Sequence, residues 1–261
     1  MIVLKTIGLK VADYMSPGPL TIQQSDSLIN AIDLMADKGI GNLVVKNKHV
    51  TGILTEREIL EHLVSKKKIG GAKIANISLS TFTIVSPETS VIDAARIMMR
   101  KKTRLLVYED KKLVGIITAT DMVRAFRRTR SNPTLEKVIS NDLYMIKDAD
   151  DIFKAVKMMH DRKIGSIIVT KHSIPYGIFT ERDLLVNVLS YDADLRNPVV
   201  GYCSYPLVTA KLGIGGSDAA RIMSKNKIKR LVLTKNGKVS SIVTARDIVD
   251  AFQSSFSDEN S

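Results

Sequence analysis

The stretch Gly52–Glu58, GILTERE, decides the fold, because it does not stand alone. GIITATD follows at Gly115–Asp121, GIFTERD at Gly177–Asp183 and SIVTARD at Ser241–Asp247. Their threonines, Thr55, Thr118, Thr180 and Thr244, are 63, 62 and 64 residues apart. A fixed period of this kind marks a chain built from copies of one supersecondary unit.

Upstream of each motif lie two short apolar runs around a polar turn. The first runs are NLVV from Asn42, LLVY from Leu105, SIIV from Ser166 and RLVL from Arg230. The turns include KNKH, EDKK and TKNGK, and the pattern predicts a β-hairpin. Further upstream, SLINAIDLMADKGI, SVIDAARIMMRKKT, DIFKAVKMMHDRKI and GSDAARIMSKNKI share a helical register. Ala31, Ala94, Ala155 and Ala219 align, as do Met35, Met98, Met159 and Met223 four residues later. Positions four apart share a helix face, so this stripe is expected to pack on a sheet. A second helix opens at each motif. Each copy therefore reads β-α-β-β-α, a unit that cannot cover its own sheet and should associate in pairs.

The expected boundaries are 11–65, 74–128, 135–189 and 199–252, here called repeats 1 to 4. SKKKIGGAK (Ser65–Lys73) is a basic connector, RRTRSNPT (Arg127–Thr134) separates the halves, and residues 253–261 read as a flexible tail.

Composition bounds the rest. Of 261 residues 44 % are hydrophobic and 25 % charged, a globular balance long enough for two domains. Cys203 stands alone, so no internal disulfide forms. Every apolar run is cut well short of the roughly 18 residues that a membrane helix needs. Lys5 and Lys10 break the N-terminal apolar stretch, unlike a secretory signal, and a cytoplasmic location is expected. The net charge is +12, with 21 Lys and Arg against 12 Asp and Glu in residues 1–130. Such a surface invites nucleotides, nucleic acid, acidic lipid or an acidic protein, without choosing among them.

The T-x-x-D motif has two physical readings. An ionised carboxylate can accept from both hydroxyls of a ribose cis-diol, and free N–H groups at a helix start attract phosphate. The same spacing is a capping box, which stabilises the helix with no ligand at all. Thr118/Asp121 and Thr180/Asp183 carry the full pattern; Thr244/Asp247 keeps the pair, but Ser241 replaces glycine and is expected to crowd the strand. In Thr55/Glu58 the longer acid makes the ribose geometry least favourable. Lys38, Lys102, Lys163 and Lys227 precede the first hairpin strands, and Arg104 and Arg230 open theirs. These cations suit phosphate or, equally, the negative end of a helix dipole. The motif arginines Arg57, Arg182 and Arg246 face either solvent or phosphate.

No catalytic constellation and no metal-ligand spacing appears around His49, His62, His160 or His172. GIGGSD (Gly213–Asp218) lacks the spacing of a phosphate loop and reads as a turn entering a helix.

A unit of about 60 residues ending in G-h-h-T-x-x-D resembles the CBS domain, named after cystathionine β-synthase. The four copies span about 11–252, and their layout is similar to that of the regulatory γ subunits of AMP-activated protein kinase. The resemblance implies an α/β fold of the α+β kind, four β-α-β-β-α CBS repeats packed as two pseudo-twofold Bateman modules. It also implies a non-enzymatic sensor with no required cofactor, binding AMP, ADP, ATP or S-adenosylmethionine. The Asp of each motif would take the ribose hydroxyls, the Thr would approach ribose or phosphate, and the basic residues above would neutralise phosphate. An unidentified protein partner would read the bound state, and a homodimer is compatible with the family. Two rivals stay open: a basic regulator associated with nucleic acid, and a structural interaction module with empty sites. The low aromatic content, 5 %, offers little stacking surface for single-stranded nucleic acid.

Overall fold

A computed structural model describes residues 8–129 and 131–258. Arg130 of the basic linker, the first seven residues and the last three of the expected tail lie outside the described residues.

Each repeat contributes a strand, a helix, a hairpin and a second helix. In repeat 1 these are β2 (Thr21–Gln23), α1 (Leu28–Asp37), β3 (Asn42–Asn47), β4 (His49–Thr55) and α2 (Glu56–Lys66). A short β1 (Ser16–Pro17) precedes them. Repeat 2 supplies β5 (Phe82–Val85), α3 (Val91–Lys101), β6 (Arg104–Glu109), β7 (Lys112–Ile117) and α4 (Ala119–Phe126). Repeat 3 has β8 (Met145–Lys147), α5 (Ile152–Asp161), β9 (Ser166–Lys171), β10 (Ile174–Thr180) and α6 (Glu181–Asp183). Repeat 4 has β11 (Thr209–Lys211), α7 (Gly216–Asn226), β12 (Arg230–Lys235), β13 (Lys238–Thr244) and α8 (Ala245–Asp258). In every repeat the first strand runs parallel to the second, and the hairpin closes antiparallel with a bulge.

Local chemistry explains the element ends. The side chains of Ser27, Ser90 and Asp151 accept the N3 amides of α1, α3 and α5 at 3.0, 3.1 and 2.6 Å. Helix α7 starts behind Gly215, which has no side chain to offer. Its cap arrives from far away in sequence: Asn132 Oδ1 accepts from Ser217 N at 2.8 Å, and the Pro133 carbonyl accepts from Gly216 N at 2.8 Å. The linker between the halves is thus docked on repeat 4. Left-handed residues, Gly39, Lys102, Lys163 and Lys227, end the four upstream helices. Positive φ at Asp110-Lys111, His172-Ser173 and Asn236-Gly237 makes three hairpin turns of the primed type.

The chain separates into two compact units that cut across tandem order. One comprises residues up to Pro19, Phe82–Leu143 and everything from Val208, and so holds repeats 2 and 4. The other comprises Leu20–Thr81 and Tyr144–Leu207, and so holds repeats 1 and 3. Within each unit the outer hairpin edges are covered by segments leading into another repeat. Ile53 pairs with Ser80, Ile116 with Ser16, Ile178 with Ser204 and Ile242 with Ser140. Backbone comes so close there that a Cβ on Gly52 would lie 2.7 Å from Leu79 Cβ, and one on Gly177 would lie 2.7 Å from the Ser204 carbonyl oxygen. This is the physical reason for glycine at the head of those motifs.

The alanine–methionine stripe is core: Ala31, Ala94, Ala155 and Ala219 are fully buried, and Met35, Met98, Met159 and Met223 nearly so. In the unit of repeats 2 and 4, Phe126 stacks on Phe252 with centroids 4.8 Å apart and planes 5° from parallel. Phe256 packs beside Phe126 at 6.5 Å and is buried. The expected flexible tail is corrected by this contact: α8 continues to Asp258, because Phe256 has apolar surface to bury.

In the unit of repeats 1 and 3 the cores interlock. Leu60 and Leu63 of repeat 1 enter the repeat 3 core, and Leu185 of repeat 3 enters the repeat 1 core. After α6 the chain makes a π-helical turn (Leu184–Val188) and then a 3₁₀ turn (Leu189–Tyr191). The wider turn lets Leu184 and Val188 face one core and Leu185 the other.

Candidate functional site

All four motif side chains form a capping box at a helix start. The backbone N–H groups of Thr55, Thr118, Thr180 and Thr244 donate to one oxygen of Glu58, Asp121, Asp183 and Asp247 at 2.8, 2.9, 2.8 and 2.7 Å. The Thr118, Thr180 and Thr244 hydroxyls donate to the same oxygen at 2.7, 2.6 and 2.8 Å, and Thr55 Oγ1 donates to Glu58. Helix capping, one of the two roles the spacing allowed, is therefore present in every repeat.

The repeats differ at the other carboxylate oxygen. Glu58 Oε1 accepts from Ser80 Oγ at 2.5 Å. Asp183 Oδ1 accepts from Ser204 Oγ at 2.7 Å and from Asn187 Nδ2 at 3.3 Å. Asp121 Oδ1 accepts from Arg124 Nη2 at 3.0 Å, and that guanidinium also donates to the Tyr14 carbonyl at 2.6 Å. Among the described residues, Asp247 Oδ1 accepts no hydrogen bond. A carboxylate offers about four lone-pair sites. Asp183 is filled, Glu58 and Asp121 each have about one left, and Asp247 has about two. Burial pushes the Asp247 carboxyl above its ordinary pKa of 3.8, against the opposing pull of the two Thr244 hydrogen bonds.

The cations divide the same way. Arg57 Nε lies 2.7 Å from Glu181 Oε1, and Arg182 Nη1 lies 3.3 Å from Glu56 Oε1. The two motif arginines of repeats 1 and 3 are thus engaged reciprocally by the acid beside the other repeat's motif threonine. Repeats 2 and 4 carry alanine there, Ala119 and Ala245. Arg246 is drawn below its ordinary pKa by burial and then by the charge of Arg104. Arg104 and Arg230 open β6 and β12, where repeats 1 and 3 carry Asn42 and Ser166. Lys102, Lys163 and Lys227 hold left-handed positions at helix ends, and Lys38 Nζ pairs with Asp37 at 2.8 Å on the surface.

Ser241 is fully buried and, among the described residues, its Oγ has no hydrogen-bond partner. Cys203 is half-buried in the repeat 3 core, and burial together with Asp183 pushes its thiol up to about 11. A hollow of about 470 Å³ is lined by Arg57, Glu61, His160, Asp161 and Lys163. Another, of about 320 Å³, lies where the linker docks on α7, beside Arg127, Asn132 and Arg221. Neither is lined by a motif threonine or carboxylate. Among the described residues no His, Cys, Asp and Glu cluster is placed to hold a metal, and no helix is long and apolar enough to cross a membrane.

Sequence reasoning missed Ser80, Ser204, Asn187 and Arg124 as partners of the carboxylates, and Glu56 and Glu181 as partners of the arginines. The signal for the last two was present: TERE and TERD alternate with TATD and TARD along the chain.

The CBS-domain family model matches residues 11–65, 74–128, 135–190 and 199–254. An uncharacterized 33.4 kDa protein in the ribosomal RNA operon of Thermofilum pendens is 27 % identical over 202 residues, covering 71 % of this chain and 67 % of that one. Protein MJ1225 of Methanocaldococcus jannaschii is 27 % identical over 200 residues, covering 70 % and 71 %. Its crystal structure, described as that of a proposed archaeal homologue of γ-AMPK, superposes with a TM-score of 0.76 at 16 % identity, covering 94 % of this chain and all of that one. An uncharacterized conserved protein from Pyrococcus horikoshii superposes with a TM-score of 0.64 at 18 % identity, covering 93 % and 99 %. These superpositions establish likeness of fold.

Proposed function

The chain belongs to the CBS-domain family, and from that premise we propose that it is a non-enzymatic cytoplasmic sensor of adenosine nucleotides. AMP, ADP and ATP are the expected ligands, with S-adenosylmethionine as the further candidate, and no cofactor is required. The observation that carries this reading is the motif carboxylate held by backbone at a helix start with accepting capacity left over, most of all in Asp247. Capping and ligand binding are compatible there, because one oxygen holds the helix while the other accepts the ribose diol. Hydrogen bonds to a charged acceptor contribute about 1.5–3 kcal/mol each. Arg104 and Arg230 at the strand starts, with Lys38, Lys102, Lys163 and Lys227 at the helix ends, supply the positive field for phosphate. The description of MJ1225 as a proposed γ-AMPK homologue agrees with this reading.

Sensing requires that the ligand favour one arrangement of the repeats over another, and the shift cannot exceed that difference in affinity. A partner protein then reads the altered surface. Thermal denaturation with each nucleotide tests the proposal: ligand at about 100 times its Kd adds about 2.7 kcal/mol per occupied site. Unchanged stability with all four ligands would favour the empty structural module instead.

A further inference from the structure

We propose that the hollow where the linker docks on α7, in the unit of repeats 2 and 4, binds a small phosphate-rich anion with no aromatic part, such as pyrophosphate or tripolyphosphate. It is lined by no motif threonine or carboxylate and does not depend on the nucleotide reading. Its volume is about 320 Å³. Arg127 lines it from the linker and Arg221 from α7, with Asp218, Asn132 and the hydroxyl residues Thr129, Ser131 and Ser217 between them. Among the described residues no apolar side chain lines it, so a nucleobase has no surface there to stack on.

The construction of this place is peculiar to repeat 4. In every repeat the first residue of the upstream helix donates its N–H to a segment arriving from elsewhere: Leu28 to Ala72, Val91 to Leu9, Ile152 to Asn197 and Gly216 to Pro133. Helices α1, α3 and α5 also carry a capping side chain of their own. Helix α7 does not, and a Cβ on Gly215 would lie 2.3 Å from Asn132 Oδ1, so glycine there makes room for the linker. The linker is fastened at two points about two helical turns apart. Ser217 Oγ donates to the Ser131 carbonyl at 2.7 Å, and Arg127 Nη1 donates to Ser224 Oγ at 2.8 Å. The helix-start amides of Gly216 and Ser217 are already taken by Pro133 and Asn132, so side chains rather than free amides define the hollow.

The charges of the lining are unequal, two arginines against one aspartate. Both oxygens of Asp218 are engaged: Oδ1 by Arg221 Nη2 at 2.6 Å and Oδ2 by Asn132 Nδ2 at 3.2 Å. Arg127 has no carboxylate partner among the described residues, and each guanidinium keeps further N–H groups. Paired N–H donors on a planar guanidinium match phosphate oxygens, so an anion between Arg127 and Arg221 is gripped from the linker and from α7 at once. Occupancy then holds the linker against repeat 4. Both arginines are exposed, so the grip is sensitive to salt.

Calorimetry on the full chain at low salt, with inorganic phosphate, pyrophosphate and tripolyphosphate, tests the site. Saturable binding that tightens with the number of phosphates is expected, and R127Q/R221Q should weaken tripolyphosphate at least about tenfold. Arg196→Gln removes an exposed arginine elsewhere and should change nothing. A second measurement needs no variant: in the parent, tripolyphosphate should slow amide hydrogen exchange in the linker and in the first turns of α7. Slowing confined to the motif helices would place the anion there and overturn the assignment, whether or not R127Q/R221Q folds. No saturable heat at about 10 mM tripolyphosphate, or equal affinity in parent and R127Q/R221Q, would overturn it as well. If R127Q/R221Q weakens AMP as much as tripolyphosphate, the hollow holds a nucleotide and the base-free assignment is wrong. A mixed-sequence single-stranded RNA that binds more tightly than tripolyphosphate, and depends on the same two arginines, would make this a nucleic-acid surface and equally sink the small-anion site.

Discussion

Arg57 Nε lies 2.7 Å from Glu181 Oε1, tying the motif helix of repeat 1 to the motif of repeat 3, and Arg182 returns the contact to Glu56 at 3.3 Å. The side chains of Arg57 and Glu181 are 24 % and 11 % exposed, so water screens this pair less than a surface bridge. A double-mutant cycle of Arg57→Ala and Glu181→Ala should return a coupling of about 1 kcal/mol by urea denaturation. Additive single effects would show that the pair contributes nothing beyond packing.

The cap of α7 provides a second test. Asn132 Oδ1 substitutes for the side chain that Gly215 lacks, and Asn132 Nδ2 also donates to Asp218 at 3.2 Å. Asn132→Ala should destabilise the chain by about 1 kcal/mol. Gly215→Ala should also destabilise, because a Cβ there would overlap the Asn132 carboxamide. An unchanged urea midpoint in both variants would show that the linker does not dock.

Ser241 carries a buried hydroxyl with no partner among the described residues. An unsatisfied buried polar group costs about 1–3 kcal/mol, so Ser241→Ala should raise stability, by about 1 kcal/mol after lost packing is counted. A loss of stability would mean that the hydroxyl has a partner in solution.

Asp247 gives a pH signature. Its folded pKa is raised above 3.8, so between the unfolded and folded values the native state binds the extra proton. The contribution of this group to stability is therefore fully present below the unfolded pKa and is lost as pH rises through the folded pKa. Asp247→Asn should abolish that loss, so the stability difference between variant and parent should shift in favour of the variant as pH climbs from about 4 through the folded pKa. A difference that does not vary with pH would contradict the shift. Because the ribose needs the ionised carboxylate, nucleotide affinity in the parent should fall as pH drops through the same range.

The repeats, hairpins, helices and methionine stripe were legible because each rests on local periodicity and turn chemistry, repeated in register. The three T-x-x-D boxes and the T-x-x-E box of repeat 1 were legible for the same reason, and their two meanings could not be separated in one dimension. What escaped is long-range. Asn132 caps a helix 85 residues away, Ser80 and Ser204 reach carboxylates 22 and 21 residues distant, and Arg57 meets an acid in another repeat. The tail read as frayed because QSSFSDENS is polar around one phenylalanine; that residue finds Phe126, which only the packed unit supplies. The π-helical turn after α6 likewise answers to two neighbouring cores rather than to its own residues.

The most direct test of the sensor reading is a calorimetric titration of the intact chain with AMP, ADP, ATP and S-adenosylmethionine at pH 7. A saturable heat from at least one ligand, lost or greatly weakened in Asp247→Asn, is the predicted result. Heats indistinguishable from dilution for all four ligands would contradict the account and leave the four carboxylates as helix caps alone.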